Sequence, residues 1–569
     1  MRAIFFYLLL LGAFPFPTCA QSDTLSAVSR VDRLLRYRYD TSLRSGIRLS
    51  PRSLASLDQL CDGGSGYLCH GGDPERGFCP KNVLCHPAEE SFLEGLWEAA
   101  IATPEAGYPM GQAIFAFTKF GFVADAWDLV QTCQAEEWWC LAMRGYVLHA
   151  RGRTSEAEPL FREAMQAAPE EVRCSFLDAS WLLGEWDQRR AHVDRVPTAW
   201  EETSQWGCER RIAVSDTLFW LGDALFSDDV NDRWVEHLFR AMTAEFSREI
   251  REAVRGSDLP RRDADAHWAM YVRRGVWDSF EVPLGRGPME YWTSDEVALY
   301  PFLPIGGVDE AIPPDWNLAG NRQREGFTPN QGLYYPVQVQ VARFRSAGST
   351  LVLVSGDVRS TPLGRSTQAS AFLVLSDGPG SFPVRREEEL GRTNPSFSVA
   401  APEQDHVLAL EVVTRLGVGW HRQWLSALPA RGPGVSDLLL FDPDLGEEPS
   451  SPEAAATAML PSVELEEDAQ LGLYFEVYGA LKGSPIEFDL AVEKEPGSPA
   501  GGWRMIPPGS FEEFQGRGRW SMAADGGDLR QSLVLDPAGL GHGEFRLVLR
   551  VRWPGQDWLE RDAIFRIEG

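Results

Sequence analysis

The sequence lacks the compact signatures that announce chemistry. It has no G-x-S-x-G elbow, no P-loop and no H-E-x-x-H, so the usual serine hydrolases, P-loop nucleotide enzymes and zinc proteases drop out as readings. "GGSG" at 63–66 stops one residue short of the elbow. The C-x-x-C of a thioredoxin-like centre is missing, and so is the C-x-x-C-H of haem attachment, although Cys69-His70 and Cys85-His86 supply its ending. After the N-terminal segment no run approaches the roughly 18 consecutive apolar residues of a membrane helix. Positive charge is scarce: 54 Lys and Arg stand against 82 Asp and Glu, a net charge of −28. Such a field repels nucleic-acid phosphates and anionic lipid heads, so neither is expected as a partner. Cysteine stops at Cys208, so everything beyond it must hold together by packing alone.

What is present begins with a leader. Arg2 supplies a positive charge, Ile4 to Phe14 are apolar, Pro15 and Pro17 break the run, and Thr18-Cys19-Ala20 places small residues before Gln21. This pattern predicts a signal peptide over 1–20, cleaved after Ala20, and an exported protein, periplasmic or extracellular. Lipidation at Cys19 fits less well, because Phe16 stands three residues back and Pro17-Thr18 precede it. The 569 residues are too many for one core, and domains of about 100 to 200 residues are the natural division. The arginines at 30, 33, 36 and 38 read as a solvated helix face.

Eight cysteines remain after the leader: Cys61, Cys69, Cys79 and Cys85, then Cys133, Cys140, Cys174 and Cys208. An even number in an oxidising compartment reads as disulfides. A structural zinc site needs two tight C-x2-4-C knuckles, whereas the first four cysteines are separated by seven, nine and five residues. Neither metal nor cofactor is therefore expected. On one continuous helix Cys133 and Cys140 would stand ~10 Å apart, beyond the ~7 Å that a disulfide spans between Cα atoms. If they pair, the helix breaks within "QAEEWW".

Residues 141–171 resemble a tetratricopeptide repeat, a pair of antiparallel helices. Gly145, Gly152, Ala157, Phe161, Ala164 and Pro169 stand at its spacings. Gly145 and Ala157 permit close helix approach, Gly152 falls in the turn, Phe161 and Ala164 fill the interface, and Pro169 closes the second helix. A weaker copy precedes it, with Phe117, Gly121, Ala126 and Cys133 at matching offsets, and a degenerate pair is expected from Cys174 onward. In "NDRWVEHLFRAMTAEFSREIREAVRG", Trp234, Leu238, Met242, Phe246 and Ile250 recur every fourth residue, predicting a long amphipathic helix ended by Gly256. His237 sits beside that stripe as a core or surface histidine.

From about residue 300 the period changes to two. "YPVQVQVARF", "STLVLVSGD", "SAFLVLSDG", "DHVLALEVV", "LGLYFEVYG", "IEFDLAVEK" and "EFRLVLRVRW" alternate between turn-rich breaks, the mark of antiparallel sandwiches. The expected fold is therefore a multidomain α + β chain: a tetratricopeptide-like helical domain followed by two antiparallel β-sandwich modules. The boundaries read as a cysteine-rich helical cap over 21–100, the repeat domain over 101–260, a helical and loop connector over 261–335, a first sandwich over 336–440, an acidic linker over 441–466 and a second sandwich over 467–569. Asp442, Asp444, Gly446 and Glu447 do not meet calcium-loop spacing. The 20 tryptophans are expected mainly in cores, given the area each buries.

The order of leader, helical region and β modules is similar to that of exported bacterial proteins of the GWxTD-domain type. The resemblance is carried by "RWVEHLFRAMTAEF", "MYVRRGVWDSFE", "YYPVQVQVARF" and "LGLYFEVYG". Gly275-Val276-Trp277 and Trp292-Thr293-Ser294-Asp295 are partial echoes of the name-giving motif. The resemblance implies an architecture and no catalytic residue. The expected function is a non-enzymatic exported binding or scaffold protein that presents a short helical-repeat surface to a protein or peptide partner. The alternative is a carbohydrate-binding or hydrolytic protein that uses its aromatic-rich β modules.

Overall fold

The computed structural model describes residues 18–39, 87–178, 206–255 and 334–568, apart from 224, 392, 446–447, 467–468, 496–497, 501–502 and 506–513. Cys61, Cys69, Cys79 and Cys85, the connector up to 333 and most of the degenerate third helix pair lie outside these residues. Helices come first and sheets follow, as the change of period predicts. Two compact units result, one helical and one β. The stretch Asp216–Asp229 belongs to the β unit although it is helical as far as Leu221.

In the helical unit, α1 (Thr18–Tyr39) packs on α2 (Pro87–Ala102), which continues into α3 (Gly107–Lys119), α4 (Val123–Val130), α5 (Glu137–Ala150), α6 (Thr154–Ala167) and α7 (Glu170–Leu177). The α5–α6 hairpin spans most of residues 141–171. A Cβ on Gly145 would meet the Phe161 ring at 3.0 Å, tighter than ordinary contact, so glycine lets the ring sit close against α5. Gly152 turns the chain with φ +71° in the left-handed region open to glycine. Ala157, Phe161 and Ala164 are fully buried, and Pro169 stands directly before α7. After α8 (Cys208–Leu221) comes α9 (Asp232–Arg255), capped by Asn231, whose Oδ1 accepts from the Trp234 amide at 2.8 Å.

The stripe on α9 is buried along its length, and its partners are the repeat helices. Phe246 stacks on Phe115 of α3 at 5.3 Å and meets Trp139 of α5 edge-on at 5.9 Å. Phe239 stacks on Tyr146 of α5 at 4.4 Å, and the Tyr146 hydroxyl lies 3.2 Å from Thr243 Oγ1. Glu236 accepts from His149 at 2.8 Å and pairs with Arg240. The face of α3 and α5 that a short helical array would offer a partner is therefore covered by the chain's own helix.

The β unit holds β1 (Tyr334–Pro336), β2 (Gln338–Ser346), β3 (Ser349–Asp357), β4 (Ala369–Ser376), β5 (Val384–Leu390), β6 (Ser396–Ala401), β7 (His406–Thr414) and β8 (Gly417–Leu425). These form a five-stranded sheet in the order β1-β8-β7-β4-β5 and a three-stranded sheet β2-β3-β6. The chain changes sheet at Val337: β1 runs parallel to β8, then β2 pairs antiparallel with β3. Val352 and Val354 face Leu373, Leu408 and Leu410 across the core.

The second module comprises β9 (Gly434–Val435), β10 (Leu439–Phe441), β11 (Glu464–Leu465), β12 (Leu471–Tyr478), β13 (Pro485–Glu495), β14 (Ser498–Pro499), β15 (Arg504–Met505), β16 (Phe514–Gln515), β17 (Arg517–Ala523), β18 (Leu529–Asp536), β19 (Gly543–Arg552) and β20 (Leu559–Ile567). Two six-stranded sheets, built on β12-β18 and on β20-β19-β13, enclose Phe475, Phe488, Leu547 and Trp503.

Three expectations change. The stretch 441–466, read as a solvated linker, is packed. It carries the helix α10 (Pro452–Thr457) and sends Ala455, Ala458 and Met459 against Phe344 and Tyr474. The first module ends earlier than 440, because β9 and β10 pair with β12 of the second. Two short pairings, β1 with β8 and β11 with β20, are parallel rather than antiparallel.

Candidate functional site

In the helical unit, a cleft of about 470 Å³ opens where the end of the repeat helices meets α9. One wall is the turn between α4 and α5. Cys133 and Cys140 are bonded across it, with Cα atoms 5.8 Å apart, and α5 does not start until Glu137, so the helix breaks where a disulfide between these cysteines requires. Inside the ring they close stand Ala135, Glu136, Trp138 and Trp139, all lining the cleft. The Gln134 amide donates to Pro104 O at 2.8 Å and ties the turn to the segment before α3.

Trp139 is fixed from two sides. Its Nε1 donates to Gly107 O at 3.2 Å, and a Cβ on Gly111 would meet Trp139 at 3.0 Å and Phe246 at 2.9 Å, so glycine there lets both rings sit against α3. Trp138 stands edge-on to Trp139 at 5.4 Å and donates to Glu136. Tyr108 hydrogen-bonds Asp32 of α1 at 2.8 Å. The floor comes from α9: Glu249 accepts from Gln112 at 2.6 Å, and Glu245 pairs with Arg248. Glu105 completes a rim of carboxylates, and among the described residues no lysine or arginine lines the cleft.

The opposite wall is α7, with Val172, Ser175 and Phe176. A second disulfide, Cys174–Cys208, ties α7 to the start of α8. Glu170 lies near both of its sulfurs. Because the sulfurs are bonded to each other they offer no thiolate pair, and the trio is not a metal centre. Behind this wall His237 is buried and its Nε2 lies 2.7 Å from Phe176 O. Burial outweighs that hydrogen bond and pushes its pKa down to about 3, so the ring is neutral at physiological pH. It is a core histidine. Burial of Glu236 would raise its pKa, but Arg240 and His149 beside it bring it down to about 2.

The β unit spends its charges on itself. On one face of the second module, Arg517 and Arg519 hold Asp489, Arg552 holds Glu487, and Arg546 and Arg550 reach Glu560 at 3.0 and 2.8 Å. On the first module, Glu411 is fully buried and accepts from the amides of Phe226 and Ser227 at 2.7 and 2.8 Å. Arg422, also buried, donates to Glu411 at 3.2 Å and to Asp223 O, with its guanidinium 3.8 Å from the centre of the Phe226 ring. Trp220 donates to Ser376 at 2.7 Å. These groups dock Asp216–Asp229 on the sheet, a fastening the sequence reading missed. Glu411 in the middle of "VLALEVV" was the available signal, a charge at a core position that requires a partner. Trp420, Trp503 and Trp553 are buried, as expected of core tryptophans.

No protein-family model matches the chain, and no curated protein matches it. Among solved structures, a chain named BspA_C_mut matches at 6% identity over 41% of this chain and 98% of its own, with a TM-score of 0.14. Red sea bream transglutaminase matches at 11% identity over 41% of this chain and 31% of its own, with a TM-score of 0.13. Likenesses at these TM-scores carry no argument about fold or function.

Proposed function

We propose that the protein is an exported, non-enzymatic binding protein whose helical unit takes a basic segment of a protein partner into the cleft beside Trp138. The cleft carries this reading: two indoles and a phenol wall a cavity lined by four glutamates, of which Glu245 is paired with Arg248, and among the described residues no basic side chain lines it. A guanidinium or ammonium group suits both parts, since indole faces attract cations and carboxylates pair with them. Because α9 covers the inner face of the repeat helices, a partner meets the end of that face rather than its length. The leader pattern and the two disulfides support export, and the architecture is in keeping with the resemblance to the GWxTD-domain type.

The test is fluorescence polarisation with a labelled peptide bearing two arginines and a matched citrulline peptide. The arginine peptide is expected to bind, more weakly as salt screens the rim, and the citrulline peptide at least about tenfold more weakly. Trp138→Ala removes a cation–π contact of about 0.5 to 1 kcal/mol, roughly a two- to fivefold loss. Equal binding of both peptides, or indifference to Trp138→Ala, overturns the reading.

A further inference from the structure

We propose that the cleft is under thiol–disulfide control: the Cys133–Cys140 bond holds one wall in its binding geometry, and reduction of that bond takes the wall apart. The proposal rests on the reading of the cleft as a binding site and names its regulation. The bond spans only seven positions of sequence, and Glu136 and Trp138, which contribute a carboxylate and an indole to the cleft, lie within that span.

The geometry makes the bond decisive for this turn. With Cys133 and Cys140 5.8 Å apart, the chain cannot take the helical path that would separate them by ~10 Å. Yet Gln134, Ala135 and Glu136 have helix propensities that favour extending α5 backwards. Apart from the disulfide, the turn is held by the Gln134 amide on Pro104 O and by local bonds such as Cys133 N to Val130 O at 3.2 Å. Trp139 has its own anchors on Gly107 and Phe246 and stays. Trp138 is half-buried; among the described residues it hydrogen-bonds Glu136 and meets the Trp139 ring, both within the turn, and has no anchor outside it. Cys133 is partly exposed, whereas Cys140 is buried. The reachable sulfur is therefore that of Cys133.

The chemistry needs a dithiol reductant. One of its thiolates attacks Cys133 Sγ, forming a mixed disulfide and expelling Cys140 as a thiolate that takes up a proton. The second thiol of the reductant, deprotonated, attacks its own sulfur of the mixed bond and releases Cys133, which is protonated in turn. Two electrons and two protons reach the protein, and the reductant leaves as a cyclic disulfide. A disulfide oxidant reverses the sequence. Cys174–Cys208 holds the opposite wall through α7, so its contribution is separated from that of Cys133–Cys140 by its own serine background.

The test uses the full chain with Cys133→Ser/Cys140→Ser, the same pair of changes in a Cys174→Ser/Cys208→Ser background, and wild type cycled through a dithiol and glutathione disulfide. Hydrogen exchange over 131–139 is expected to quicken at least about tenfold on loss of the bond, with 154–167 unchanged. The two-arginine peptide is expected to bind at least about tenfold more weakly, and reoxidation of the wild type to restore it. Exchange and affinity equal to those of the oxidised wild type overturn the control while the binding reading stands. A turn that loosens in a protein that never bound the peptide overturns the binding reading and the control with it. Should the serine variant fail to fold, the reduction and reoxidation cycle of the Cys174→Ser/Cys208→Ser protein, which keeps Cys133–Cys140, decides.

Discussion

Glu411→Gln is the sharpest probe of the β unit. The substitution keeps the shape of the side chain but removes the charge from a fully buried site that serves two backbone amides and Arg422. An amide has one acceptor oxygen where the carboxylate has two, so the amides of Phe226 and Ser227 cannot both keep their bonds. Arg422, itself buried, loses the carboxylate it is paired with at 3.2 Å. Removing one partner of such a pair costs about 3 to 5 kcal/mol, because a buried charge is left uncompensated. Arg422→Met removes the other partner at similar cost, while the double variant leaves no orphaned charge. The double variant is therefore expected to cost less than the two singles summed, by roughly 1.5 to 3 kcal/mol. The assay is the calorimetric transition of the β unit in the full chain, with hydrogen exchange over 220–229 as the local readout. Additivity within about 0.5 kcal/mol, or exchange over 220–229 unchanged in Glu411→Gln, refutes the claim that this pair fastens the segment.

Three further outcomes follow from the helical unit. Because the folded pKa of Glu236 lies near 2, below its usual 4.5, its stabilisation is complete above the unfolded value and is lost as pH falls through about 2. In the melting temperature between pH 5 and 2, Glu236→Gln should flatten the acid slope, and an unchanged slope counts against the pairing. For His237 the folded pKa is near 3 against 6.5, so the unfolded chain binds a proton first and stability falls as pH drops from about 6.5 toward 3. His237→Gln should remove that fall, and the His237 imidazole resonance should not titrate above pH 4. Gly111→Ala should destabilise by about 1 to 3 kcal/mol despite alanine's better helix propensity, since its methyl meets Phe246 and Trp139. A stabilised Gly111→Ala protein in thermal unfolding would show that these rings yield.

Legibility followed the range of each signal. The stripe on α9 and the set around Gly145, Gly152 and Phe161 were readable because periodicity and close approach are local demands. The break between Cys133 and Cys140 was readable because helix rise and disulfide reach contradict each other. That α9 covers α3 and α5 was not, since a stripe states that a face is buried and not against what. The docking of Asp216–Asp229 on the β unit depends on Glu411, 184 and more positions away, and leaves no trace near residue 220. The stretch 441–466 misled because its acids and prolines suggested solvent, while the buried residues Phe441, Ala455, Ala458, Met459 and Leu465 fall at no regular spacing and so form no period. Of the cleft, the cysteine pair was legible. The convergence of Trp138 with Glu245 was not, because it needs two helices about a hundred residues apart.

The position of α9 alters how the helical unit comes apart. An array in which each hairpin touches only the next melts from its ends inward, one hairpin at a time. Here a single helix packs on α1, α3, α5, α6 and α7 together, so no hairpin can leave without uncovering part of it. The unit behaves as one melting block, and its weakest hairpin borrows the stability of its strongest.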